Sequence, residues 1–386
     1  MTGESTRAVH GPTRPKVDQA PLVAPVYRSA TFVFDSAQQM ADVFAGEQGW
    51  SYSRTDNPTA QAFADAVAAL EGAEAGQPFA SGMAAISSTL MALCSSGSHV
   101  IAPREVYGGT WALLTQQLAR FGVETSFVDM TDPAEVVNAA RPETTVVWAE
   151  VLSNPTMTVA DLPAIKQAAG AVPLVVDSTF ASPAVCRPLE HGADLVVHSA
   201  TKYIGGHSDA TGGVVVGAKD LVAQVRKVRI DLGGSLGPDE AALLIRGLQT
   251  LPLRMARQCE TANAVAAAMQ EHTSIKRVDH PSLPTHGSHD LASKLFDEHR
   301  YGAIVTVTTA DREAGMRLVD RLQLIQRATS LGGTVSKAVH VTSTTHKSLT
   351  PEALIQGRIE AGAVRISIGL EDADDLIADL TQALAT

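Results

Sequence analysis

The sequence predicts an α/β fold, with a large domain built on a mostly parallel sheet and a smaller C-terminal α/β domain after it. Three observations predict it. Short β-branched runs alternate with helix-like stretches through the middle of the chain, and these runs are continuously apolar rather than alternating. At 386 residues the chain is also longer than a single core usually organises. Strands that are apolar on both faces need cover on both faces, which helices between parallel strands supply. Ligands in such sheets collect at the carboxyl ends of the strands.

Each element follows in order. Residues 1–58 show little sustained periodicity and carry Pro12, Pro15, Pro21 and Pro25, which predicts an extended arm ordered only against another surface, such as a neighbouring subunit. From Thr59, the spacing of Phe63, Val67 and Leu70 predicts a helix that Gly72 stops. Strands are expected at 100–101, 123–128, 145–148, 174–176, 195–197 and 214–216, with helices over 111–120 and 162–169. A long helix over 238–269 bridges to strands at 304–308 and 364–368 and to an acidic amphipathic helix over 372–385. The expected division is an arm over 1–58, a large domain over 59–245 and a smaller one over 246–386. No repeat or low-complexity tract interrupts it.

Composition narrows the function. Hydrophobic residues make up 45%, a globular proportion, and residues 1–16 are too polar for a secretory signal. No apolar run approaches the ~20 residues of a membrane helix, so a soluble cytoplasmic protein is expected. The net charge of −11, spread without long blocks, argues against nucleic acid as a partner. Cys94, Cys186 and Cys259 are far apart and suit a reducing compartment. His280, His286, His289 and His299 cluster without a helical HxxxH pair, so no metal site is expected.

Chemistry concentrates at the strand ends. Lys202 follows a buried-type strand within Ser199-Ala-Thr201-Lys202-Tyr-Ile-Gly-Gly-His207, between hydroxyls and glycines. A free lysine, with a pKa of about 10.4, is protonated at neutral pH; desolvation or a neighbouring cation activates it. Taken alone, such a lysine is more often just exposed, although His207 is placed to orient its loop. Asp177 ends another apolar strand, where a carboxylate can keep a pyridinium nitrogen protonated and make its ring an electron sink. A strand-end acid can equally cap a helix. Ser81-Gly82-Met83 opens a helical run, so backbone N–H groups and the positive dipole end can face a phosphate, with Ser199 and Thr201 adding hydroxyls. Together these features point to pyridoxal 5′-phosphate (PLP) held as a Schiff base on Lys202.

In the same order along nearly the whole chain, Tyr52-Ser-Arg54-Thr-Asp-Asn57-Pro, Ser81-Gly-Met83, Tyr107-Gly-Gly-Thr, Asn154-Pro, Asp177-Ser-Thr-Phe, Ser199-Ala-Thr-Lys202, Ser330-Leu-Gly-Gly and Arg365-Ile-Ser-Ile-Gly-Leu-Glu resemble the Cys/Met-metabolism (trans-sulfuration) PLP-dependent enzymes. Within that family the sequence is most similar to methionine γ-lyases and cystathionine γ-lyases. The resemblance implies PLP-dependent transferase fold type I, like aspartate aminotransferase. It implies Lys202 as Schiff-base lysine and proton carrier, Tyr107 stacked on the ring and serving the leaving group, Asp177 on the ring nitrogen and Asn154 on the ring hydroxyl side. Gly82, Met83, Ser199 and Thr201 would hold the phosphate, joined by Tyr52 and Arg54 from a neighbouring subunit. Arg365 would bind the substrate carboxylate, assisted by Ser330 and Tyr52. A homodimer is then the minimum unit, and a homotetramer the expected assembly.

The implied reaction is γ-elimination from a sulfur amino acid such as cystathionine, methionine or homocysteine, giving a 2-oxo acid, ammonia and a thiol. γ-Replacement, as in cystathionine γ-synthases and O-acylhomoserine sulfhydrylases, is the alternative; a catalytically silent PLP-binding protein is the non-enzyme one. The chain departs from the family's specificity patterns at three places. Gly109 stands where methionine γ-lyases carry cysteine, Arg229-Ile230 where they carry Lys-Asp, and Val335 where cystathionine enzymes carry glutamate. These departures predict a modified substrate pocket.

Overall fold

The computed structural model describes residues 3–10, 21–297, 300–347, 354–355 and 357–385. Pro12, Pro15 and His299 lie outside these residues, as does part of residues 1–16. Two sheets organise the described chain. The larger has seven strands in the order β1-β7-β6-β5-β4-β2-β3: β1 (Ala75–Phe79), β2 (His99–Pro103), β3 (Glu124–Val128), β4 (Thr144–Glu150), β5 (Leu174–Asp177), β6 (Leu195–His198) and β7 (Gly213–Gly217). Five of them run parallel; β7 lies antiparallel to β6 and to β1.

The Val-rich central strands are buried along their length, as expected of a sheet covered on both faces. One side is covered by Pro58–Glu71, among other elements, and the other by Gly82–Leu93 and Lys219–Leu232, which pack on each other. The helix Pro58–Glu71 begins where the Asn57 side chain accepts the Thr59 and Ala60 N–H groups, and Gly72 ends it at φ 73°.

The smaller sheet has the order β10-β11-β12-β9-β8, from β8 (Arg277–Asp279), β9 (Ile304–Thr308), β10 (Gln326–Arg327), β11 (Lys337–His340) and β12 (Ala363–Ser367). Ala373–Leu384 and Leu251–Gln270 pack together beside it.

Local expectations change in four places. The arm is not extended throughout: Glu4–His10 and Ala37–Phe44 are helical, the latter started by Ser36, whose side chain accepts the Gln39 N–H. The helix expected over 111–120 is an irregular run, Gly108–Ala112 followed by a wide turn at Leu113–Gln117 and a tight one at Leu118–Phe121. The long helix over 238–269 is two helices, Pro238–Leu248 and Leu251–Gln270. Pro252 sits in the first turn of the second, where a missing N–H costs nothing. An unpredicted edge strand, β1, closes the larger sheet.

Candidate active site

A cavity of about 360 Å³ opens at the carboxyl ends of β4, β5 and β6, where the two sheets meet. Its wall includes Gly82, Met83, Tyr107, Asn154, Asp177, Ser199, Thr201, Lys202, Ser330 and Arg365. Ten of the twelve residues expected at the site therefore converge. Tyr52 and Arg54 line a different surface.

Lys202 lies four residues beyond β6. Its Nζ donates to Ser330 Oγ at 2.7 Å. Burial, then the Arg365 and Lys337 charges, push its pKa down to about 8, the activation a nucleophilic amine needs. Ser330 holds its hydroxyl there from a left-handed conformation, φ 72°, that a serine adopts only under constraint.

Asp177 ends β5, and its Oδ1 accepts the Thr179 N–H at 2.9 Å. Burial raises its pKa, partly offset by the hydrogen bond from Thr179. No cation pairs with it among the described residues; a protonated ring nitrogen would supply one. At the other end of the cavity, Ser81 caps the helix Gly82–Leu93 by accepting the Ala84 N–H at 3.1 Å. A Cβ at Gly82 would lie 2.6 Å from Ser199 Cβ, so only glycine lets this helix end approach the Lys202 loop. Thr201 Oγ1 closes that loop by accepting the Gly212 N–H at 3.0 Å. His207 also acts within the loop, with Nδ1 2.8 Å from Gly205 O.

Arg365, in β12, is 4% exposed. Its guanidinium donates to Asn154 Oδ1 at 3.0 Å and to Ser330 O at 3.3 Å, while Nε is buried without a hydrogen-bond partner among the described residues. Asn154 thus serves the arginine as well as facing the cavity. Burial pushes the Arg365 pKa down to about 10, which still leaves it charged at neutral pH.

One electrostatic expectation reverses. The resemblance implies a Tyr107 phenol whose pKa nearby cations lower; instead burial, Asp177 and Glu150 raise it, and Arg365 offsets this only in part. Tyr52 and Arg54 form their own unit: the Arg54 guanidinium carbon is 5.4 Å from the Tyr52 ring centroid, and Nη1 donates to Ile230 O at 2.8 Å. Sequence reasoning missed Glu150, Thr179, Phe180 and Thr345 in the cavity wall. Thr179 and Phe180 stand in the Asp177-Ser-Thr-Phe motif without having been given a role, and Glu150 offered a signal as an acid ending a buried strand like Asp177.

A lysine with its pKa depressed, a buried acid on the next strand and a glycine-opened helix end suit a phosphorylated pyridine aldehyde. The family model for Cys/Met metabolism PLP-dependent enzymes matches residues 5–385. The chain belongs to that family. It is 43% identical to an L-methionine gamma-lyase of Pseudomonas putida, over 100% of this chain and 98% of that one. It is 37% identical to a cystathionine gamma-lyase of Bacillus subtilis, over 99% of each. A solved structure from Campylobacter jejuni, described as an O-acetylhomoserine (thiol)-lyase with a pyridoxyl-lysine phosphate, superposes with a TM-score of 0.97 at 33% identity, covering 100% of both chains. This member of the family is a PLP-dependent α/β enzyme.

The three departures have definite places. Gly109 lies under the Tyr107 ring, Ile230 offers its carbonyl to Arg54, and Val335 is half-exposed beside Ser336, whose N–H and hydroxyl are taken by Glu371.

Proposed function

We propose that this enzyme catalyses γ-elimination on a sulfur-containing amino acid such as cystathionine, methionine or homocysteine, releasing a 2-oxo acid, ammonia and a thiol. The observation that carries the reading is the convergence of Lys202, Asp177, Tyr107 and Arg365 on one cavity, in a chain matched end to end by γ-lyases. Bound PLP supplies an electron sink for the substrate carbanion. Gly82 and Met83 would hold its phosphate with Ser199 and Thr201, Asn154 would serve its hydroxyl side, and Asp177 would keep its nitrogen protonated.

The protein's own groups do the rest. Arg365 fixes the substrate carboxylate, helped by Ser330 and by a partner's Tyr52, a role suited to a planar, always charged fork. Lys202, freed as its amine, takes the Cα proton, would hand it to C4′ of the bound cofactor, and as a neutral amine again takes one from Cβ; its depressed pKa suits it to act as a base near neutrality. Tyr107 delivers a proton to the departing sulfur, and its raised pKa keeps it in the protonated form this needs.

γ-Replacement uses the same residues, and the close superposition on the Campylobacter jejuni protein favours it as the second reading. The deciding experiment incubates the enzyme with methionine, cystathionine, homocysteine and O-acylated homoserines, with and without added thiol, and measures oxo acid, ammonia and replacement product. Oxo acid and ammonia without thiol support elimination; turnover only with thiol assigns replacement. A visible cofactor band that is absent in Lys202→Ala, with no turnover in either arm, leaves a silent PLP-binding protein.

A homodimer is the minimum unit in this reading, with Tyr52 and Arg54 completing the neighbour's site, and a homotetramer its full assembly. No described helix is long and apolar enough to cross a membrane, and we place the enzyme in the cytoplasm.

A further inference from the structure

Two residues without a role in the reaction above converge on Tyr107. Glu150 ends β4, opposite Asp177 in the parallel register, and is 8% exposed. Its Oε1 accepts the Tyr107 N–H at 2.7 Å. Burial, then the Asp177 charge, raise its carboxyl above the usual range, and an oxygen of either protonation state can accept this N–H.

Gly109 lies two residues beyond Tyr107. A Cβ there would lie 2.6 Å from Tyr107 Cε1 and 2.9 Å from Met83 Sδ, closer than real carbon contacts come. The tyrosine ring occupies the volume that any side chain at 109 would claim.

We propose that Glu150 and Gly109 form a two-point mount for Tyr107: the acid anchors its backbone, and the glycine leaves the space into which the ring folds. Both are positioning residues, and the inference rests on the reading that Tyr107 serves the leaving group. The mount gives the Gly109 departure a geometric meaning. A cysteine at 109 would require the Tyr107 ring or the Met83 side chain to shift.

The test uses holoenzyme labelled with 3-fluorotyrosine. With five tyrosines in the chain, Tyr107→Phe assigns the Tyr107 fluorine resonance. In Glu150→Gln, whose amide oxygen can still accept the N–H, the resonance stays in place and kcat stays within ~3-fold of wild type. In Glu150→Ala and Gly109→Ala the resonance shifts or splits, and kcat falls ~10-fold or more with a smaller change in KM. An unmoved resonance in both alanine variants overturns the mount. So does a Glu150→Gln variant as damaged as Glu150→Ala, because the acid would then act through its charge. If Glu150→Ala fails to fold, Gly109→Ala carries the test alone. Shifts as expected in an enzyme that turns over no tested amino acid would support the mount while sinking the reaction.

Discussion

Lys202 is the residue whose surroundings do most to set reactivity. Two cations, Arg365 and Lys337, add to its burial in pushing the amine down to about 8. Like charges disfavour protonation, so removing one raises the pKa and leaves less neutral amine at a given pH. Lys337→Met is therefore expected to move the half-maximal pH for PLP capture by the apoenzyme upward, read as the pH profile of the absorbance rise; an unchanged profile would remove Lys337 from the account. Arg365→Lys tests the clamp differently. Losing the planar fork is expected to raise KM about 10-fold or more for every amino acid substrate while the cofactor band persists. Lys202, Asp177 and Gly82 were legible because strand-end acids, strand-end lysines and helix-opening glycines announce themselves in sequence. The Tyr107 environment was not: its acids come from β4 and β5, and which strands lie beside the tyrosine loop is a matter of sheet order.

At the scale of elements, the buried strands were legible from their valine runs, and β1 was not. Ala75–Phe79 contains Gly76, Gln77 and Pro78 and no β-branched residue, and it survives as a strand because it forms the sheet edge, paired only with β7. The 238–269 stretch kept its helical periodicity across a real break, so pattern alone merged two helices. The helix Lys219–Leu232 carries a device no pattern revealed. Arg229, 2% exposed, donates to Arg54 O at 3.1 Å and to Thr55 O, and pairs with Asp56 at 3.2 Å. It thereby fixes the backbone that presents Arg54. Arg229→Met is expected to cost about 2 kcal/mol, seen as a lower urea midpoint, because two backbone carbonyls lose a buried donor. Asp56 keeps Arg226, so the loop loosens rather than detaches.

For the whole molecule, the arm sets the question of assembly. Leu22, Val23 and Phe44 are 80%, 73% and 75% exposed, and Tyr52 and Arg54 stand outside the cavity of their own chain. If that unit completes a neighbour's site, Arg54→Ala and Lys202→Ala proteins, each inactive alone, regain activity when refolded together. Half of randomly paired dimers would be hybrids with one intact site, giving about a quarter of wild-type activity. No recovery would mean that each chain builds its site alone. The direction in which Arg54 points was not legible in the sequence, since it depends on a carbonyl of Ile230. That carbonyl belongs to the helix Lys219–Leu232, which also packs against the phosphate-end helix Gly82–Leu93. In a dimer built this way, one helix would brace its own chain's site from behind and aim a charge into the next chain's site. A lesion in it would then be felt at two addresses, and selection on it would be correspondingly severe.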